Sequence, residues 1–152
     1  MRFDNANGGY SEITNSAIYH GLGWGIAIQN SDNILIKDSA VFGFVKMGIN
    51  INSANNVTID GNIVMDISER QVVALDGMMD LVGGIISCAY RVPDFCTDIS
   101  IINNIVAGVY FYAYAAYGHD CDDTTSNNFR NNIAHSIDGV GASIFKDPNS
   151  AT

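Results

Sequence analysis

Apolar residues recur along this chain in two nested rhythms. On the short scale they alternate with polar ones, as in Ile34-x-Ile36 and Val57-x-Ile59, the period-two pattern of strands with one buried face. On the long scale whole blocks return. Ser16 to Asp38 (SAIYHGLGWGIAIQNSDNILIKD) is followed at once by Ser39 to Gly61 (SAVFGFVKMGININSANNVTIDG), each 23 residues long. Their apolar positions superpose: Ile18 on Val41, Tyr19 on Phe42, Ile26 on Ile49, Ile28 on Ile51, Ile34 on Val57 and Ile36 on Ile59. Each block carries three short β-patterned segments separated by turn formers such as Asn-Ser-Asp-Asn. A block of this size with three strands and three turns is one coil of a parallel β-helix, in which a coil buries its apolar face only against its neighbours.

Further coils start at Asn62 (NIVMDI), Asn104 (NIVAGV) and Asn132 (NIAHSI), with steps of 42 and 28 residues that are one period plus insertions of 19 and 5. The pattern predicts an all-β fold, a right-handed parallel β-helix of about five coils with loop insertions. Residues 1–15 form a partial first coil or edge, and 16–152 the repeats of a single domain. The period is interrupted at 68–84, 88–96 and 118–123. In the longest interruption, Val72, Val73, Leu75, Met78, Met79 and Leu81 suit either a short amphipathic helix or a loop packed on its own coil. Extending the register gives a column of small residues, Gly25, Gly48, Gly84, Ala113 and Gly141. Because an alanine joins it, close packing rather than a positive φ explains it. A second column, Asn33, Asn56, Asp98 and Ser126, predicts side-chain hydrogen bonds from coil to coil.

Composition supports this picture and narrows the partners. Of 152 residues 47% are hydrophobic, enough for a continuous core, and only 15% are charged. The net charge of −9 disfavours nucleic acid and anionic membranes as partners. No stretch is apolar for long enough to span a bilayer, and MRFDNANGGYSE lacks the apolar core of a signal peptide. The repeat starts almost immediately and still runs near the end, so the chain is expected to be a piece of something longer.

The candidate chemistry is sparse. Cys88 and Cys96 flank a nine-residue segment containing Pro93 and are expected to form a disulfide, which implies an oxidising, extracellular setting. Cys121 is left to pair elsewhere or to remain a free buried thiol. No metal site is expected: the histidines are scattered, and Asp120, Asp122 and Asp123, the only calcium candidates, match no known calcium loop and read more simply as a solvated acidic turn. Asn56-Val57-Thr58 is the sole Asn-x-Ser/Thr sequon, although the column it shares with Asn33 explains an asparagine there without a glycan. Tyr110, Tyr112 and Tyr114 alternate onto one face and are candidates for stacking on sugars, with core filling as the competing role. Glycosidic cleavage needs paired carboxylates on one groove. Asp60, Asp66, Asp138, Arg70, Arg91 and Arg130 are instead dispersed, so no catalytic residue is assigned and no cofactor is expected.

The stretch GGIISCAYRVPDFCTDISIINNIVAGVYFYAYAAYGHDCDD, followed by NNIAHSIDGVGASIF, resembles the parallel β-helix repeats of large fibrocystin-like cell-surface proteins. The resemblance rests on the NNIVAG and NIAHS coil starts, the Cys-to-Cys loop and the Gly-His-Asp-Cys step, and extends from about Ser16 to Phe145. It implies an ectodomain segment of a much longer chain. The expectation is an extracellular, non-enzymatic structural or adhesive segment. Its partners are further coils, copies stacked end to end as a filament, the rest of an ectodomain, or glycans. A carbohydrate-active or glycan-binding β-helix is the alternative.

Overall fold

The structure, a computed structural model, describes residues 1–68, 82–88, 96–109, 112–116, 127–136 and 142–143. Within them run β1 (Arg2–Asp4), β2 (Ser11–Thr14), β3 (Ala17–Gly21), β4 (Trp24–Lys37), β5 (Ala40–Phe44), β6 (Met47–Asp60) and β7 (Ile63–Ile67). There follow β8 (Gly83–Ser87), β9 (Thr97–Ile102), β10 (Ile105–Val109), β11 (Tyr112–Ala116), β12 (Asn128–Arg130), β13 (Ile133–Ser136) and β14 (Ala142–Ser143). Every pairing is parallel and joins one coil to the next, as in Ile26↔Ile49↔Ile85↔Tyr114. The fold is a parallel β-helix: four complete coils, preceded by β1 and β2 and followed by β13 and β14. All five sequence-derived coil starts are in place.

Each coil has three sides. One is the five-stranded sheet β3-β5-β7-β10-β13. The other two belong to a nine-stranded sheet, whose strands β4 and β6 run 14 residues each around the vertex between them. The inward positions stack like on like, with Ile26, Ile28, Ile36, Ile49, Ile51, Ile59, Val41, Val64 and Val106 all at 0% exposure. At about 25 cal/mol per Å² of apolar surface removed from water, these isoleucine and valine columns are the main stabilising force.

The corners explain why so much of the polarity is asparagine. Among the described residues, twelve of the thirteen non-glycine residues with positive φ fall into four columns repeated from coil to coil. Asn5, Asn30 and Ser53 form one, and Cys88, opposite Asn52, lies one residue away from it; Asn33, Asn56 and Asp98 form a second; Asn15, Asp38, Asn103 and Asn131, with Gly61, a third; His20 and Asp66, with Gly43 and Gly108, a fourth. The left-handed region is costly for most L-residues and least so for Gly, Asn and Asp, which can bond locally. The second of these columns is the one expected from sequence, and Asn56 Nδ2 donates to Asn33 Oδ1 at 2.8 Å.

The small-residue column has the cause expected of it. Gly25, Gly48 and Gly84 do not have positive φ. A Cβ on each would strike Val41, Val64 and Val106 respectively, and also the backbone of the next coil. By the same step Ala113 lies opposite Ala134, which occupies the valine position. Alanine is tolerated where its opposing residue has lost two methyl groups. Gly141, Ser126 and the expected helix within 68–84 lie outside the described residues.

Candidate interaction surface

Behind each coil start a polar ladder crosses the core boundary. The backbone N–H of Ser16 donates to Ser39 Oγ (3.2 Å), that of Ser39 to Asn62 Oδ1 (3.0 Å), and those of Asn62 and Asn104 to Asn104 Oδ1 and Asn132 Oδ1 (2.9 Å each). Each amide also reaches back one coil: Asn62 Nδ2 donates to the Ile36 carbonyl (2.9 Å), Asn104 Nδ2 to that of Ile59 (2.9 Å) and Asn132 Nδ2 to that of Ile101 (2.8 Å). Asn62 and Asn104 are fully buried yet satisfied, as most buried polar groups are. This ladder fixes where the five-stranded sheet begins in every coil.

That sheet exposes an apolar outer face. One outward row is Ala17, Ala40, Ile63, Ile105, Ile133, and the next is Tyr19, Phe42, Met65, Ala107, His135. Exposure reaches 59% at Tyr19 and Ile133 and about 40% at Ile63, Met65 and Ile105. Tyr19 stacks on Phe42 (ring centroids 5.4 Å, 14° between planes), with His20 edge-on to both. Scattered exposed apolar residues need no explanation, but these are contiguous, which makes this face the candidate interaction surface. A sequence signal for it was present in the coil starts Asn-Ile-Val, Asn-Ile-Val and Asn-Ile-Ala. Two adjacent apolar residues in a strand point to opposite faces, so one of each pair had to face out.

The residues singled out from sequence are placed as follows. Cys88 and Cys96 are joined by a disulfide, with Cα atoms 6.0 Å apart. Asn56 is exposed at the vertex between the two halves of the nine-stranded sheet, across the coil from the apolar face. Tyr110, Asp120, Cys121, Asp122 and Asp123 lie outside the described residues.

Tyr112 and Tyr114 do not share the face that strict alternation predicts, and Tyr114 fills the core instead of facing a sugar. Tyr114 is 1% exposed in the central core, edge-on to Phe129, and its hydroxyl donates to the Asn104 carbonyl (2.9 Å), with that of Ile133 at 3.0 Å. Burial holds its phenol well above the ordinary pKa of 10.0. Tyr112 instead packs, half-buried, in a second apolar cluster with Trp24, Met47, Ile86 and Ala115. Ala113 and Tyr114 both belong to the inner core, which breaks the alternation on which a shared face depended.

Among the described residues the charged groups form two separate pairs. Arg2–Asp4 (2.8 Å) and Lys37–Asp60 (3.7 Å) pair at the surface, and among the described residues no three His, Cys, Asp or Glu side chains could hold a metal.

The chain is 28% identical over 138 residues to fibrocystin of the dog, Canis lupus familiaris. The match takes in 90% of this chain and only 3% of that one. No solved structure gives a significant match. The family described as "right handed beta helix region" matches residues 4–152, which gives the coils their hand, and this chain belongs to that family.

Proposed function

We propose that this chain is an extracellular structural or adhesive segment of a large cell-surface protein, working through a rigid surface and without catalysis. The observation that carries the reading is the continuous apolar outer face of the five-stranded sheet, held flat by the ladder behind it. The likeness to fibrocystin supports membership of a longer chain. The Cys88–Cys96 disulfide is in keeping with an oxidising compartment.

The sequon adds a test of location. Asn56 faces solvent, and its amide nitrogen has two hydrogens, of which the contact with Asn33 uses one. The other can be replaced by a glycan without losing that contact. Carried through a eukaryotic secretory pathway behind a supplied leader, the protein should acquire an N-glycan on Asn56, read by peptide mapping after glycosidase treatment. T58S should keep the glycan and T58V lose it. A folded, secreted protein unmodified at Asn56 would count against the extracellular reading. Incubation with a panel of acidic polysaccharides, with and without Ca²⁺, should leave them intact; cleavage would replace the structural reading with a carbohydrate-active one.

A further inference from the structure

We propose that the outer face of the five-stranded sheet binds the same face of a second copy of this chain, about a twofold axis parallel to the strands and passing over β7. This gives the adhesive part of the proposed function a partner and rests on that reading. As far as the fourth level, the residues of the two rows change size in opposite directions along the stack, and His135 closes the second row with a ring. The first runs Ala17, Ala40, Ile63, Ile105, Ile133, small to large; the second runs Tyr19, Phe42, Met65, Ala107, His135, its largest rings at the other end. Turning one copy over about β7 sets Ala40 against Ile105 of the second copy and Ala17 against its Ile133. Phe42 then meets Ala107, and Tyr19 meets His135. On the axis Ile63 and Met65 meet themselves. Small lies opposite large in three of the four off-axis pairs, the exception being the two rings of Tyr19 and His135 at the rim, and the even spacing of parallel strands keeps all five levels in step.

The other twofold, parallel to the coil axis, fits less well. It lays Tyr19 on Ala17 and His135 on Ile133, leaving the phenol and the imidazole against aliphatic groups. The axis over β7 brings those two polar groups together at the rim. Asp66, exposed beside Met65, also lies towards the rim, where water screens it from its symmetry mate. With strands about 4.8 Å apart and about 3.3 Å per residue the face measures roughly 24 by 16 Å, which is smaller than a standard interface of about 800 Å² per partner and corresponds to a weak dimer. The vertex that carries Asn56 lies on the far side of the coil, so a glycan there leaves the face free.

The test is sedimentation equilibrium of the 152-residue chain up to about 1 mM. The wild type should reach a closed dimer. I63D should abolish it with its melting temperature retained, since Ile63 already faces water. A40I, which overfills, and I105A, which leaves a gap, should each weaken the dimer by about tenfold. The double variant A40I/I105A should recover most of that loss, because the two positions exchange sizes across the interface. A strict monomer, open-ended polymerisation, or single effects that merely add in the double variant would each overturn the proposal.

Discussion

Buried asparagine occurs here in two settings, and its replacement has opposite signs in them. Asn104 bonds through both side-chain atoms, and truncating it would orphan the Asn62 N–H and the Ile59 carbonyl inside the core. N104A is expected to cost about 3–5 kcal/mol in urea melts. Asn50 is equally buried, yet its Nδ2 and Oδ1 have no hydrogen-bond partner among the described residues. Its neighbours in register are Ala27 and Ile86. N50V should therefore stabilise the fold by about 1–2 kcal/mol, and a lower melting temperature would show that the amide is satisfied in solution. Tyr114 adds a pH effect. Its folded pKa lies above the unfolded value of 10.0, so its contribution is complete below pH 10 and is lost as the pH rises further. Over that range stability should fall by up to about 1.4 kcal/mol per pH unit more than in Y114F, measured as melting temperature against pH.

Between strands, the tightest constraint is the closeness of glycine to valine across the core. A Cβ on Gly48 would meet Val64 Cγ1 and the carbonyl oxygen of Gly84. G48A should cost about 2–3 kcal/mol, and G48A/V64A should recover part of it, because only the valine contact is relieved. An unchanged G48A would mean that the coils can separate locally. This column was legible in the sequence because small residues recur at fixed register and an alanine among them argues against a conformational cause. The buried coil-start ladder was half legible: Asn62, Asn104 and Asn132 marked the coils, but an asparagine before a strand reads equally as an exposed turn until the depth of the site is known. The tyrosines of β11 misled because strict alternation was extended through a corner, where two successive residues turn inward.

Across the molecule, stability is distributed as in other solenoids, by contact with nearest neighbours alone. Hydrogen exchange should therefore be slowest in β6 and β7, which have a coil on either side, and faster in β1 and in the edge strand β3. Uniform protection would instead indicate a single cooperative unit. Architecture was the most legible property because a repeat states it several times over. The contact face was not, since whether an outward isoleucine is covered depends on what lies against it.

The matched registers of successive coils also make length a quantity that can change without redesign. Removing residues 39–61 would join Asp38 to Asn62, one left-handed corner residue followed by one ladder residue, as in every other coil. Ser16 would then donate to Asn62 Oδ1 as Ser39 does now, and Ala17 would lie against Ile63. A recombination event between two such blocks therefore shortens or lengthens the rod by whole coils and leaves each remaining contact of a kind already present. Reach and the number of rungs on the outer face become heritable variables, while the rules that fold a coil stay fixed.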